Sequence, residues 1–290
     1  MTATTTNLLV VLGFTVATAL SALSYFRRYQ PTRPPIGVFN LRDVAILLGA
    51  IIVVPYLYIA LPLVVVAILL GVLAAMMLTL VLEPIVRRRW LVGASALTLV
   101  AADIAVTVLS GPDTEITWLV NNVVLVLLIV AITNLWAQSG FRARDLTVFA
   151  AALTLYDLVA TTQLGIMAAL ITRLAGLPFA PLMRWGDAET GLAIGLGDLL
   201  VVAAFPLVMR KAFGVTASLV ALVLGVGAVA GALALVGAGW VGIFPAMTLL
   251  VPLTVAQYAW WRRSHGPERR TWQYLRAEPL RHQAAPVTAS

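Results

Sequence analysis

The sequence predicts an all-α polytopic membrane protein, and three observations carry that prediction. Of 290 residues, 61% are hydrophobic and only 11% charged, against about 25% charged in a typical soluble domain. The apolar residues fall in runs close to the roughly 20 that a helix needs to cross a bilayer. The basic residues cluster in the short segments between those runs, where positive charge sets topology. A chain this poor in charge cannot cover itself with polar surface in water, so it belongs in lipid.

Nine transmembrane helices are expected, at 7–26, 44–59, 62–82, 90–109, 118–136, 146–170, 191–209, 214–236 and 241–261. The first differs from a signal peptide, because residues 1–6 carry no basic side chain and Arg27 and Arg28 follow the apolar run. Spans two and three come from one apolar stretch, 44–82, too long for a single helix, with Pro55 and Pro62 offering the break. Spans four to seven follow at ordinary spacing. Span eight is rich in glycine (Gly225, Gly227, Gly231), which suits close helix packing. Residues 262–290 read as a solvated basic tail beside anionic headgroups. The chain is thus one membrane-embedded domain over 1–290, with spans one to five at 7–136 and spans six to nine at 146–261.

Charge sets the orientation. With the N-terminus outside, the inner segments hold Arg27, Arg28, Arg33 and Arg42, then Arg87 to Arg89, then Arg142 and Arg144, then Arg210 and Lys211. The tail adds Arg262, Arg263, Arg269, Arg270, Arg276 and Arg281, and only Arg173 and Arg184 remain outside. Seventeen of the nineteen cations therefore lie on one side, which places the N-terminus out and the C-terminus in and requires an odd number of spans. The net charge of +7 is spread over these clusters and points to a membrane surface, with no nucleic acid expected. There is no cysteine, hence no disulfide, thiolate nucleophile or cysteine metal site. Lys211 is the single lysine, a bias that points to a GC-rich prokaryotic genome and so to the cell membrane.

Ionisable groups inside a membrane are expensive and are functional candidates by default. Three acids lie well within the spans: Asp103, Asp157 and Asp198. Both histidines, His265 and His282, are in the tail and no H-E-x-x-H occurs, which removes zinc-type and Ser–His-type intramembrane hydrolysis. A carboxylate pair is the simple hydrolytic arrangement left. Asp157 lies eleven residues into span six and Asp198 eleven residues before the end of span seven, so both stand about 17 Å from the inner edge at 1.5 Å per residue. Asp103, thirteen residues into span four, stands about 20 Å deep; depth alone does not exclude it.

The surrounding residues sort the acids. Tyr156-Asp157 occupies span six, Gly195-Leu196-Gly197-Asp198 span seven, and Pro245-Ala246-Met247 the start of span nine. This order resembles the presenilin/signal peptide peptidase family of GxGD intramembrane aspartyl proteases, with its Y-D, G-x-G-D and P-A-L motifs. Trp118, Asn121 and Asn122 are similar to the W-x-x-N-N of signal peptide peptidases, and Pro252 to their extended pattern. Met247 stands for the family leucine, Phe244 where signal peptide peptidases have glutamine, and the Pro-Gly that often follows their G-x-G-D is absent. These departures bear on subfamily and substrate preference. The resemblance covers spans five to nine.

The resemblance implies an aspartic endopeptidase that cuts transmembrane helical peptides in the bilayer, with Asp157 and Asp198 catalytic. Tyr156, Gly195, Leu196, Gly197, Pro245, Ala246 and Met247 would contact substrate, with no metal, cofactor or obligate partner subunit required. The N-out orientation is that of signal peptide peptidases and implies type II segments and remnant signal peptides as substrates. Other readings stand beside this one. The acids could form the relay of a proton-coupled transporter, with Asp103 included; the absence of an inverted repeat opposes it. An inactive helix-binding member is a third reading, opposed by the intact acid pair. Asp103, without a motif, reads as structural. The glycines could serve packing alone, Pro245 could merely start a helix, and Tyr156 could be core.

Overall fold

The computed structural model describes residues 3–29, 39–86, 88–186, 191–240, 244–271 and 273. Arg33, Arg87, the first three residues expected in span nine, and the tail beyond residue 273 lie outside the described residues. The described residues form ten helices and one short hairpin: α1 (Ala3–Arg28), α2 (Leu41–Ala60), α3 (Leu63–Leu82), α4 (Arg89–Ser110), α5 (Glu115–Gln138), α6 (Ala143–Thr162), α7 (Ile166–Leu174), β1 (Leu182–Trp185), β2 (Leu192–Gly195), α8 (Leu196–Phe213), α9 (Val215–Gly237) and α10 (Met247–His265). Six of them, α1 to α5 and α9, are long and apolar enough to cross a membrane. The protein is therefore a predominantly helical membrane protein. α6 and α8 are less uniformly apolar because they carry Arg144, Asp145 and Asp157, and Asp198, Arg210 and Lys211.

The first five helices keep close to their expected limits. Asn40 opens α2 by a capping box, its side chain accepting the Arg42 N–H while Asp43 takes the Asn40 N–H. The break between α2 and α3 falls at Leu61-Pro62, whereas Pro55 stays inside α2. Pro62 lacks the N–H that a continuing helix would need, so it starts α3 instead.

α8 is the centre of the bundle. Every residue from Val201 to Met209 is buried, as expected of a helix that is apolar all round, and α1, α5, α6, α9 and α10 pack on it. α2 lies at the periphery, with only Val44 and Pro55 buried. Lipid tails are as apolar as leucine, so side-chain hydrogen bonds and close packing must hold the helices together. Tyr25 donates to the Val81 carbonyl at 3.0 Å, tying α1 to α3, and Asn134 donates to that of Ala22 at 3.2 Å, tying α5 to α1. Of the three glycines expected to pack in span eight, Gly225 faces Val202 of α8 and Gly231 faces Leu249 of α10. Gly227 faces open space and serves no close approach.

Spans six, seven and nine differ from expectation. The single helix expected over 146–170 breaks after Thr162, where Gly165 takes the left-handed conformation (φ 62°) that glycine adopts without penalty. α7 then runs separately and extends into what was expected to be the outer loop 171–190. The helix expected from residue 191 starts only at Leu196, because residues 192–195 pair as β2 with β1. The register is antiparallel, with Leu182 opposite Gly195 and Trp185 opposite Leu192. α10 starts at Met247, later than the expected 241, and runs to His265.

Candidate active site

The two site aspartates sit near helix ends that the sequence alone placed in mid-span. Asp198 occupies the first turn of α8, three residues after the N-cap Gly195, and its carboxylate accepts the Gly195 N–H. That is one arm of a capping box. It also accepts the N–H of Met247, the first residue of α10. Asp198 therefore joins the starts of α8 and α10 through two of the backbone donors that a helix N-terminus leaves without an intrahelical partner. Its Oδ1 is buried and has no hydrogen-bond partner among the described residues. Asp157 lies in the last turns of α6, where Thr161 donates to its Oδ1 at 3.3 Å.

The two acids share a depth. Asp157 is fourteen residues beyond Ala143 and Asp198 fifteen residues before Phe213, or about 21 and 22 Å from the same end of the bundle. Both line one cavity of about 420 Å³, close enough for their charges to interact. Tyr156, Gly195, Leu196, Gly197, Pro245, Ala246 and Met247 line it too, so all nine expected site residues are brought together. The remaining wall is largely aliphatic, from α2, α7 and α9. The Tyr156 hydroxyl is buried with no partner among the described residues.

The glycines are not forced by packing. A methyl on Gly197 would meet only the tips of Leu153 and Met247, at 3.6 and 3.7 Å, and one on Gly195 only Asp198 Oδ2 at 3.5 Å. Gly195 has an ordinary extended φ of −73°. Pro245 and Ala246 lead into α10, their carbonyls taking the N–H groups of Thr248, Leu249 and Leu250.

Beside the acids runs a strand edge that the sequence did not disclose. Asn121 donates to the carbonyls of Ala180 and Leu182 at 3.3 and 3.1 Å. Asn122 donates to the Arg184 carbonyl at 2.9 Å and accepts the Arg184 N–H at 3.2 Å. The two amides act as a third strand on the outer side of β1. Alternation along a strand then turns Met183 and Trp185 toward β2, and Leu192 and Ile194 back toward β1. Ala193, exposed and lining the cavity, is left with its N–H and C=O directed away from β1. Trp118 and Arg184 anchor the hairpin at its far end. Trp118 donates to the Pro112 carbonyl at 3.2 Å, the Arg184 guanidinium lies 5.0 Å above its ring, and Arg184 pairs with Asp113.

Asp103 lies apart from this cavity. It is fully buried, and its Oδ2 accepts the N–H of Phe179 at 2.7 Å. Phe179 is the one described non-glycine residue with positive φ, at 60°, so Asp103 secures a strained turn just before β1. No protein-family model and no curated protein matches the chain. Sequence reasoning missed Thr161, the edge at Ala193 and the task of Asn121 and Asn122. Gly186 and Gly191, between the residues of β1 and β2, were the available signal for a hairpin.

Proposed function

We propose that this protein is an intramembrane aspartyl protease of the presenilin/signal peptide peptidase type. One observation carries the reading: two aspartates from neighbouring helices meet at one depth, in a largely aliphatic cavity lined by all three motif segments. The chemistry is peptide hydrolysis. One carboxylate, ionised, takes a proton from a water that attacks the scissile carbonyl carbon. The other, protonated, donates a hydrogen bond to the carbonyl oxygen. The tetrahedral intermediate then expels the amine, which leaves with a proton from the pair. Two neighbouring carboxylates do not both ionise cheaply, so they share one proton and exchange roles. No metal or cofactor is called for.

A helical peptide bond is shielded by its own hydrogen bonds, so the substrate must unwind. The edge at Ala193 offers backbone partners to an extended segment, and Gly195 and Gly197 leave room for it to approach Asp198. The proposed topology has nine spans, with α6 and α7 together forming the sixth, the N-terminus out and the C-terminus in. On that topology the preferred substrates are type II membrane segments and remnant signal peptides. The relay of a proton-coupled transporter would need Asp103 near the other acids, and Asp103 is instead bonded to Phe179 outside the cavity.

The deciding experiment incubates purified protein with a model transmembrane peptide. Specific cleavage that disappears in Asp157→Ala and Asp198→Ala supports the reading. No cleavage by a folded wild type over a panel of type II helices, or cleavage that survives either substitution, rejects it.

A further inference from the structure

α6 begins without a cap of its own. Its N-cap residue Arg142 makes no side-chain cap bond, and the guanidinium groups of Arg142 and Arg144 are turned onto Asp145 at 3.0 Å. The two backbone donors at the start of α6 are satisfied from another element. Ala143 N–H donates to Glu268 Oε1 at 2.9 Å and Arg144 N–H to Glu268 Oε2 at 3.2 Å. Glu268 reaches them because α10 ends at Gly266, whose φ of 84° turns the chain, with Pro267 next. A carboxylate at a helix N-terminus is also favoured by the helix dipole.

The same two helices meet again at the aspartates. α6 carries Asp157, and the first N–H of α10, at Met247, holds Asp198. Helices are stiff along their axes, and α10 is about 27 Å from Met247 to His265 at 1.5 Å per residue. A bond at their inner ends therefore sets how far one stands along the other at the dyad.

We propose that Glu268 is a positioning residue of the dyad: it clips the end of α10 to the start of α6 and so fixes the register of Asp157 against Asp198. It touches neither substrate nor reacting atoms. The inference rests on the aspartyl protease reading for its catalytic consequence. The clip itself does not depend on that reading.

The test reads both halves in the full chain. Because the chain has no cysteine, Leu155→Cys on α6 and Val255→Cys on α10, both exposed and outside the cavity, can carry a spin-label pair. In Glu268→Ala, the distance distribution between the labels should shift or broaden. In unlabelled protein, kcat should fall about tenfold or more with KM within about twofold, since small misplacements of reacting groups are costly. Glu268→Gln, which keeps one acceptor oxygen for the two N–H groups, should fall between the wild type and Glu268→Ala in both. An unchanged distance in Glu268→Ala overturns the clip whether or not the chain cleaves anything. A shifted distance with unchanged kcat overturns the positioning role. A shifted distance in a chain whose wild type cuts no substrate upholds the clip and removes the protease reading instead.

Discussion

Three carboxylates of similar depth have different surroundings, and the differences predict different mutants. Asp157→Asn and Asp198→Asn keep shape but cannot exchange the proton that hydrolysis needs. Each should abolish cleavage while the protein still folds, as read by peptide cleavage and thermal unfolding in detergent. Asp103→Asn should keep substantial activity, because an amide oxygen can still accept the Phe179 N–H. Asp103→Leu should instead destabilise by about 1–3 kcal/mol, the cost of leaving a buried donor unpaired. If Asp103→Asn folds and is as inactive as the dyad variants, its structural reading fails. Glu268 makes a pH prediction. Burial pushes its pKa above the ordinary carboxylate value, opposed by the Ala143 and Arg144 N–H groups and by Lys211 and Arg142, while Tyr258 also lies within its electrostatic reach. In the window above the unfolded value the native state holds the extra proton. Raising pH through that window, from roughly pH 4 upward, must therefore cost stability. Glu268→Gln should flatten that slope in unfolding curves, and an equally steep slope in the variant would count against this account.

Among the elements, the hairpin and the breaks around it are where the proposed function would concentrate. Non-helical backbone at membrane depth needs protein partners for its polar groups, and Asn121 and Asn122 supply them to β1. Asn122→Leu leaves the N–H and carbonyl of Arg184 without that amide, a loss of about 1–3 kcal/mol per buried unpaired group. It should reduce cleavage more than an equally destabilising substitution on a lipid-facing helix surface, because it loosens β1, the strand against which β2 and its Ala193 are paired. Equal losses of activity in the two would argue that the hairpin is only a spacer. Gly195→Ala and Gly197→Ala should fold normally, since among the described residues the nearest atoms packed on the added methyl are 3.5 and 3.6 Å away. Any fall in cleavage should then appear chiefly as weakened substrate engagement. Frank unfolding of either variant would return these glycines to a packing role.

For the whole molecule, orientation is the quantity to test. Seventeen cations on one side and two on the other predict a cytoplasmic C-terminus. On the proposed mechanism an extended substrate would run past Asp198 in one sense only, so inverting the protein would invert the preferred substrate. Matched reporters with one transmembrane sequence in both orientations should be cut preferentially when their N-terminus is inside. Preference for the opposite reporter would overturn the polarity, and a tag at Ser290 found on the outer face would trace the error to topology.

The helical membrane class, most helix limits and the two acids that line one cavity were legible in the sequence. They rest on local quantities: the length of apolar runs, the placement of arginines, and charge where lipid forbids it. Tyr156-Asp157, Gly195 to Asp198 and Pro245 to Met247 were legible as motifs for the same reason, being contiguous residues. What only the tertiary structure decided is how those segments end and meet. Residues 192–195 are as apolar as the helix that follows, and only pairing with β1, itself held by amides 61 and 62 residues earlier, makes them a strand. The bond from Asp198 to the Met247 N–H and the bonds from Glu268 to α6 likewise join residues far apart in the chain. Local propensity carries no information about such partners, because their positions exist only once the helices have packed.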